Sequence, residues 1–200
     1  MRTTIGLFGG AFDPPHIGHL ILAGEAQAQL GLARLLWTPT PNPPHKAGRI
    51  ITPIEQRLEM LRRTLTQSPD FELSTIEMER PGPHYTVDTL TILQGRFPSA
   101  DLVLLLGGDS LRDFPTWHRP LDILAACRFF GVMRRPGAQF DMEALERSLP
   151  GLGQKTRFVD TPQLEISSSV IRSRVAKGGH YRHYLVSGVY DYIRENNLYR

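Results

Sequence analysis

Leu102-Val103-Leu104-Leu105-Leu106 is an unbroken apolar run. A strand that carries apolar side chains on both faces is covered on both, which is the position of a central strand in a parallel sheet layered between helices. Five further strand-like runs lie at 3–8, 33–38, 71–75, 128–133 and 156–160, and the central one spans 101–106. Amphipathic, helix-like segments fall near 18–30, 53–67, 86–96, 119–126, 141–148, 168–177 and 187–196. Parallel neighbours need a helical crossover, so this alternation specifies an α/β fold with a doubly wound, Rossmann-like parallel sheet. The 200 residues suffice for one such domain, 1–200, ending in a small C-terminal helical part.

Several element ends are marked. Thr52-Pro53-Ile54-Glu55 reads as a capping box with proline at the first helical position. Gly31 stands where the first helix should stop, and Asp13 or a neighbour is the candidate cap at its start. Cys127 sits in an apolar setting and reads as a buried thiol; a single cysteine forms no internal disulfide. No basic stretch followed by a long apolar one opens the chain, and no apolar run nears the ~20 residues of a membrane span, so a cytoplasmic, membrane-free protein is expected. A net charge of +3 suits anionic ligands but is too small to mark a nucleic-acid binder.

The unusual residues collect at the strand ends. GGAFDPPH follows the first strand, TPNPPHK the second, GGDS the fourth, RRPG the fifth and TPQLEISSS the sixth. In open α/β sheets the ligand crevice lies outside the carboxyl ends of the strands. Five separated segments are therefore expected to converge on one site.

Gly9 and Gly10 would let the backbone turn sharply and approach a ligand closely. His16 and His19 share a face if the segment is helical, near a helix N-terminus whose free N–H groups and dipole suit phosphate, and Gly18 removes a side chain between them. Ser167, Ser168 and Ser169 open another helix, where one hydroxyl suffices as a cap. Arg172 falls on the same face as Ser168 and Ser169 and can grip a phosphate through two donors.

GGAFDPPHIGH near the start and ISSSVIR near the end resemble the nucleotidylyltransferase superfamily with the H-x-G-H signature. TPNPPHK, HYTVDTL, GGDSL with the following Trp-His, and YLVSGVYDYIRENNLY are similar to its bacterial nicotinate-nucleotide adenylyltransferase branch, and the likeness spans essentially the whole chain. The resemblance implies transfer of an adenylyl group from ATP to nicotinate mononucleotide in NAD biosynthesis, with Mg²⁺, the metal held by substrate phosphates rather than by protein ligands. It places Gly9, Gly10, Ala11, Phe12, Ser167, Ser168, Ser169 and Arg172 with His16 and His19 around ATP, with His16, His19 and Arg172 as the catalytic donors. Ala11 departs from the usual Ser or Thr, so a hydroxyl contact is lost there.

On the acceptor side, Lys46 beside His45 lies on a loop suited to phosphate, and the resemblance stacks Trp117 on the pyridine ring and sets Asp109, after Gly107, near ribose hydroxyls. Trp117 has an alternative as core and Asp109 as a helix cap. Tyr85 and Thr86 open a helix whose N-terminus would favour a carboxylate over an uncharged amide. Arg134 is expected on the phosphate or adenine side. Asp13 reads as a residue that fixes its loop by hydrogen bonds rather than as a metal ligand. The alternatives are a same-superfamily enzyme for nicotinamide mononucleotide or phosphopantetheine, a nucleotide sensor without turnover, or an RNA-binding synthetase fragment, which the charge disfavours. A homo-oligomer is compatible with the sequence, which does not set the oligomeric state.

Overall fold

The computed structural model describes residues 2–43, 50–133, 140–162 and 164–200. The chain alternates β1 (Thr4–Gly10), α1 (Ile17–Leu30), β2 (Arg34–Pro39), α2 (Ile54–Leu65), β3 (Phe71–Leu73), α3 (Thr86–Arg96) and β4 (Asp101–Gly107). It continues through α4 (Gly108–Asp113), α5 (Pro120–Ala126), β5 (Phe129–Met133), α6 (Met142–Ser148), α7 (Leu152–Lys155) and β6 (Thr156–Val159), and ends with α8 (Ser168–Ala176) and α9 (Ser187–Glu195). The six strands form one sheet in the order β3-β2-β1-β4-β5-β6. Every pairing is parallel, with Phe8 opposite Trp37 and Leu7 opposite Leu104. The expected doubly wound fold is therefore the observed one, and its switch point lies between β1 and β4.

The apolar runs divide by the two-residue period of a strand. Ile5, Leu7, Leu102, Leu104, Leu106, Phe130 and Val132 face the layer made by α3 to α7. Phe8, Leu35, Trp37, Val103, Leu105, Phe129 and Met133 face α1 and Leu61 of α2. Full burial of each such side chain contributes roughly 1.5–3 kcal/mol, so both layers are needed to hold the central strands. A third cluster joins Met60 of α2 to Ile171, Val175, Val189 and Ile193, docking the C-terminal helices on α2.

Some ends differ from the sequence reading. Gly31 does close α1, in the left-handed region at φ 62°. Thr52 does not cap α2. Pro53 occupies that position, while the Thr52 N–H donates to Asp13 Oδ2 at 3.2 Å and its carbonyl accepts from Arg57. Tertiary partners outcompete the local box. Asp13 does not cap α1 either; His16 holds that position. The stretch between β4 and α5, where the sequence marks no helical segment, contains α4 and a short 3-10 helix, Phe114–Thr116. These two are too short for periodicity to reveal.

Cys127 is 1% exposed, and burial pushes its thiol up to about 12. Iodoacetamide at pH 8 is expected to label the native protein at least ~10²-fold more slowly than the denatured chain, followed by mass spectrometry. Equal rates would show the α5–β5 corner to be open.

Candidate active site

Leaving β1, the backbone does not turn at its glycines. Gly9 and Gly10 complete the strand, and the left-handed residue is Phe12, at φ 49°. This corrects the expectation of a glycine turn. Phe12 holds that angle because its ring is locked in place, edge-on to Phe8 at 5.4 Å and stacked on Trp37 at 5.3 Å. What Gly9 supplies is room: nothing lies within 4 Å of where its Cβ would be.

The loop delivers His16 to the cap of α1 and His19 to its first turn. The rings stack with centroids 3.6 Å apart. The His16 N–H donates to His19 Nδ1 at 3.1 Å, which makes Nδ1 the acceptor and places the proton of the neutral ring on Nε2. The Phe12 ring backs His19 at 5.2 Å. Gly18 leaves room beside them, since a Cβ there would lie 3.0 Å from His16 Nδ1 and press on its ring.

The first turn of α8 meets this loop. Ser167 is the cap, its Oγ accepting from the Val170 N–H at 3.2 Å. Ser168 Oγ donates to the Pro14 carbonyl at 2.8 Å. Arg172 donates to the Asp13 carbonyl at 2.7 Å and to Ser169 Oγ at 3.3 Å. Of five guanidinium N–H groups these use only some, and among the described residues the rest are donors that an anion can meet.

Together these elements enclose a cleft of about 360 Å³ outside the carboxyl ends of β1 and β4, within the range of small-molecule sites. Gly9, Gly10, Ala11, Phe12, His16, His19, Ser167, Ser168, Ser169 and Arg172 line it, and so do Thr86, Gly107, Asp109 and Trp117. Tyr85 is not in the lining. It caps α3 and its ring stacks on His118 at 4.0 Å. Asp109 is not a cap but lies within α4, paired with Arg112 at 3.0 Å. Trp117 packs edge-on against Phe114 at 5.5 Å, as its core reading expects, and also borders the cleft. His45, Lys46 and Arg134 lie outside the described residues.

Sequence reasoning missed three contributors. Glu77 reaches the cleft from a 3-10 helix, 5% exposed, its Oε1 accepting from Thr89 Oγ1 at 2.8 Å. Burial holds its carboxyl above the usual range, tempered by Thr89, Thr40 and Arg80. Arg57 is 1% exposed and donates to the carbonyls of Ala11, Thr40, Pro41 and Thr52, at 2.7 to 2.9 Å. Tyr199 donates its hydroxyl to Asp13 Oδ1 at 2.7 Å. The i, i+3 and i, i+4 spacing of α2 marks Arg57 only as one more helix position, no motif contains Glu77, and Tyr199 ends the stretch YLVSGVYDYIRENNLY with nothing local to tie it to the cleft.

The cytidylyltransferase-like family model matches residues 7–174. A Thermomicrobium roseum protein named "Probable nicotinate-nucleotide adenylyltransferase" is 44% identical over 98% of this chain and 91% of its own. A Dehalococcoides mccartyi protein of the same name is 40% identical over 97% and 96%. In fold, the chain is similar to the Plasmodium falciparum nicotinic acid mononucleotide adenylyltransferase complexed with NaAD, with a TM-score of 0.83 at 20% identity over 99% of this chain and 98% of that one. The chain belongs to the cytidylyltransferase-like family and, within it, to the nicotinate-nucleotide adenylyltransferases.

Arg57 closes the site from behind. Arg57→Ala is expected to cost about 3 kcal/mol or more, because several buried carbonyls lose a charged donor at once. Urea unfolding measures it; a loss under about 1 kcal/mol would mean that water replaces the guanidinium freely.

Proposed function

We propose that this protein transfers the adenylyl group of ATP to nicotinate mononucleotide, releasing pyrophosphate, in NAD biosynthesis. The observation that carries it is the meeting of two helix N-termini, α1 and α8, with His16, His19, Ser169 and Arg172 in one cleft at the switch point of the sheet. The relatives at 40% identity and above carry the same activity in their names.

The chemistry asks little of covalent catalysis. The mononucleotide phosphate is already an anion near neutral pH. One of its oxygens attacks the α-phosphorus, a P–O bond forms there, and the bond to the β-phosphate oxygen breaks. No general base is required. The barrier lies in bringing two polyanions together and in the charge that builds on the α-phosphate and the departing pyrophosphate. Fixed donors address both. His19 Nε2–H is aimed at the α-phosphate, with its tautomer set by the His16 backbone N–H. Ser169 and Arg172 hold the β- and γ-phosphates with the first-turn amides of α8, that of Ser168 among them, His16 joins His19 on the ATP phosphates, and Gly9 to Phe12 lie along the nucleotide.

The acceptor enters from the β4 side. Trp117 offers its face to the pyridine ring and Asp109 accepts from ribose hydroxyls. The N–H groups of Thr86 and Val87 precede the first bond of α3, Asp88 N–H to Tyr85 O. With the positive end of the helix dipole they favour a carboxylate on the ring over an amide. The family resemblance assigns His45 and Lys46 to the acceptor phosphate, and Arg134 to the phosphate or adenine side. Mg²⁺ bound with ATP would neutralise phosphate charge. Asp13, the carboxylate beside the phosphate donors, accepts from Tyr199 and Thr52, which favours a metal that substrate oxygens and water would hold.

The test is pyrophosphate release from Mg-ATP with nicotinate mononucleotide, nicotinamide mononucleotide or phosphopantetheine offered separately. Strong preference for the first is expected. Equal use of the two mononucleotides would remove the α3 dipole as the source of selectivity, and ATP binding with no release would make the protein a sensor. His19→Ala is expected to lower turnover at least ~10²-fold with the fold intact, the usual loss for one well-placed donor. Near-normal turnover in that variant would take His19 out of the reaction.

A further inference from the structure

Asp13 is a carboxylate, 5% exposed, in the lining of a cleft built to hold phosphates. Left unengaged it would repel a triphosphate. It would also compete for Arg172, whose guanidinium already reaches the Asp13 backbone carbonyl at 2.7 Å. Both oxygens are instead turned to other donors. Oδ2 accepts from the Thr52 N–H, and Oδ1 accepts from a phenol 186 residues away in the chain.

That phenol is placed at a visible cost. The segment after α9 contains two non-glycine residues in the left-handed region, Asn197 at φ 50° and Tyr199 at φ 64°. Backbone held at such angles persists only where its surroundings over-determine it. The Tyr199 hydroxyl lies 2.7 Å from Asp13 and 3.9 Å from Met60 Sδ, in the cluster that docks α8 and α9 on α2. Burial, then the charge of Asp13, push the phenol far above its usual range, so it stays a neutral donor.

We propose that Tyr199 is a positioning residue for the nucleotide: its hydroxyl holds the Asp13 carboxylate toward α2 and the 196–199 segment, leaving Arg172 and Ser169 to the ATP phosphates. The proposal rests on the reading that the cleft takes ATP. Tyr199 touches no substrate in this account. It acts through Asp13, on the loop that also gives the Pro14 carbonyl to Ser168.

Tyr199→Phe keeps the ring in its cluster and removes only the hydroxyl. ATP binding measured by calorimetry with Mg²⁺ and no acceptor is expected to weaken about tenfold, as for loss of one charge-assisted hydrogen bond. The KM for nicotinate mononucleotide should change less than about twofold, since the α3 side of the cleft is untouched. Adding Asp13→Asn removes the freed charge and should restore part of the ATP affinity, which a merely structural role for Tyr199 would not allow. ATP binding by Tyr199→Phe equal to that of the unmodified protein would overturn the proposal. So would a parallel loss at both substrates, or a double variant weaker than the single one. No ATP binding by the unmodified protein would instead overturn the reading of the cleft, and the proposal with it.

Discussion

Arg57 places a guanidinium almost wholly out of water between the loop after β1, the loop after β2 and the start of α2. Taking an arginine out of water costs several kcal/mol unless its donors are satisfied. Here they are met by backbone carbonyls, which are fixed dipoles rather than a second charge. Burial pulls the arginine below its usual value, and Asp13, Tyr199 and Glu55 pull the other way. Each carbonyl belongs to a segment that carries part of the cleft or supports it. The loop geometry at β1, the start of α2 and the placement of Asp13 therefore depend on one side chain.

The site uses charge asymmetrically. Among the described residues, the cleft carries His16, His19, Ser167, Ser168, Ser169 and Arg172, and its two buried carboxylates, Asp13 and Glu77, are held by hydrogen bonds. Asp13 is bound on both oxygens, and Glu77 is buried and hydrogen-bonded to Thr89. Preorganised donors in a cleft with low dielectric walls are worth more than in water. A loose carboxylate in the same cleft would cancel them. Holding the acids down is thus as much a part of the site as presenting the histidines.

Much of this was legible. The strand and helix alternation is carried by local periodicity, which is why all six strands and the longer helices fall where they are expected. The convergence of GGAFDPPHIGH, GGDS and ISSSVIR follows from the topology of a parallel sheet, whose strand ends all face one way. Local rules failed where a distant partner intervened. Thr52 gives up its capping role because Asp13 and Arg57 claim its backbone. Phe12, rather than Gly9 or Gly10, takes the left-handed angle because an aromatic cluster holds its ring. Asp109 was ambiguous between a cap and a cleft residue, and only the placement of α4 resolves it.

By itself the sequence determined the layer architecture, the end of the sheet that carries the site and the residue types available for phosphate. Hydrophobic period and strand direction are properties of neighbouring residues, so they can be read along the chain. The tertiary structure alone decided which partners the buried polar groups meet. The His19 tautomer, the enclosure of Arg57 by carbonyls and the pairing of Tyr199 with Asp13 each join residues that no local pattern connects. Hydrogen bonds are made in space, and an unpaired buried group is costly wherever its partner lies in the chain.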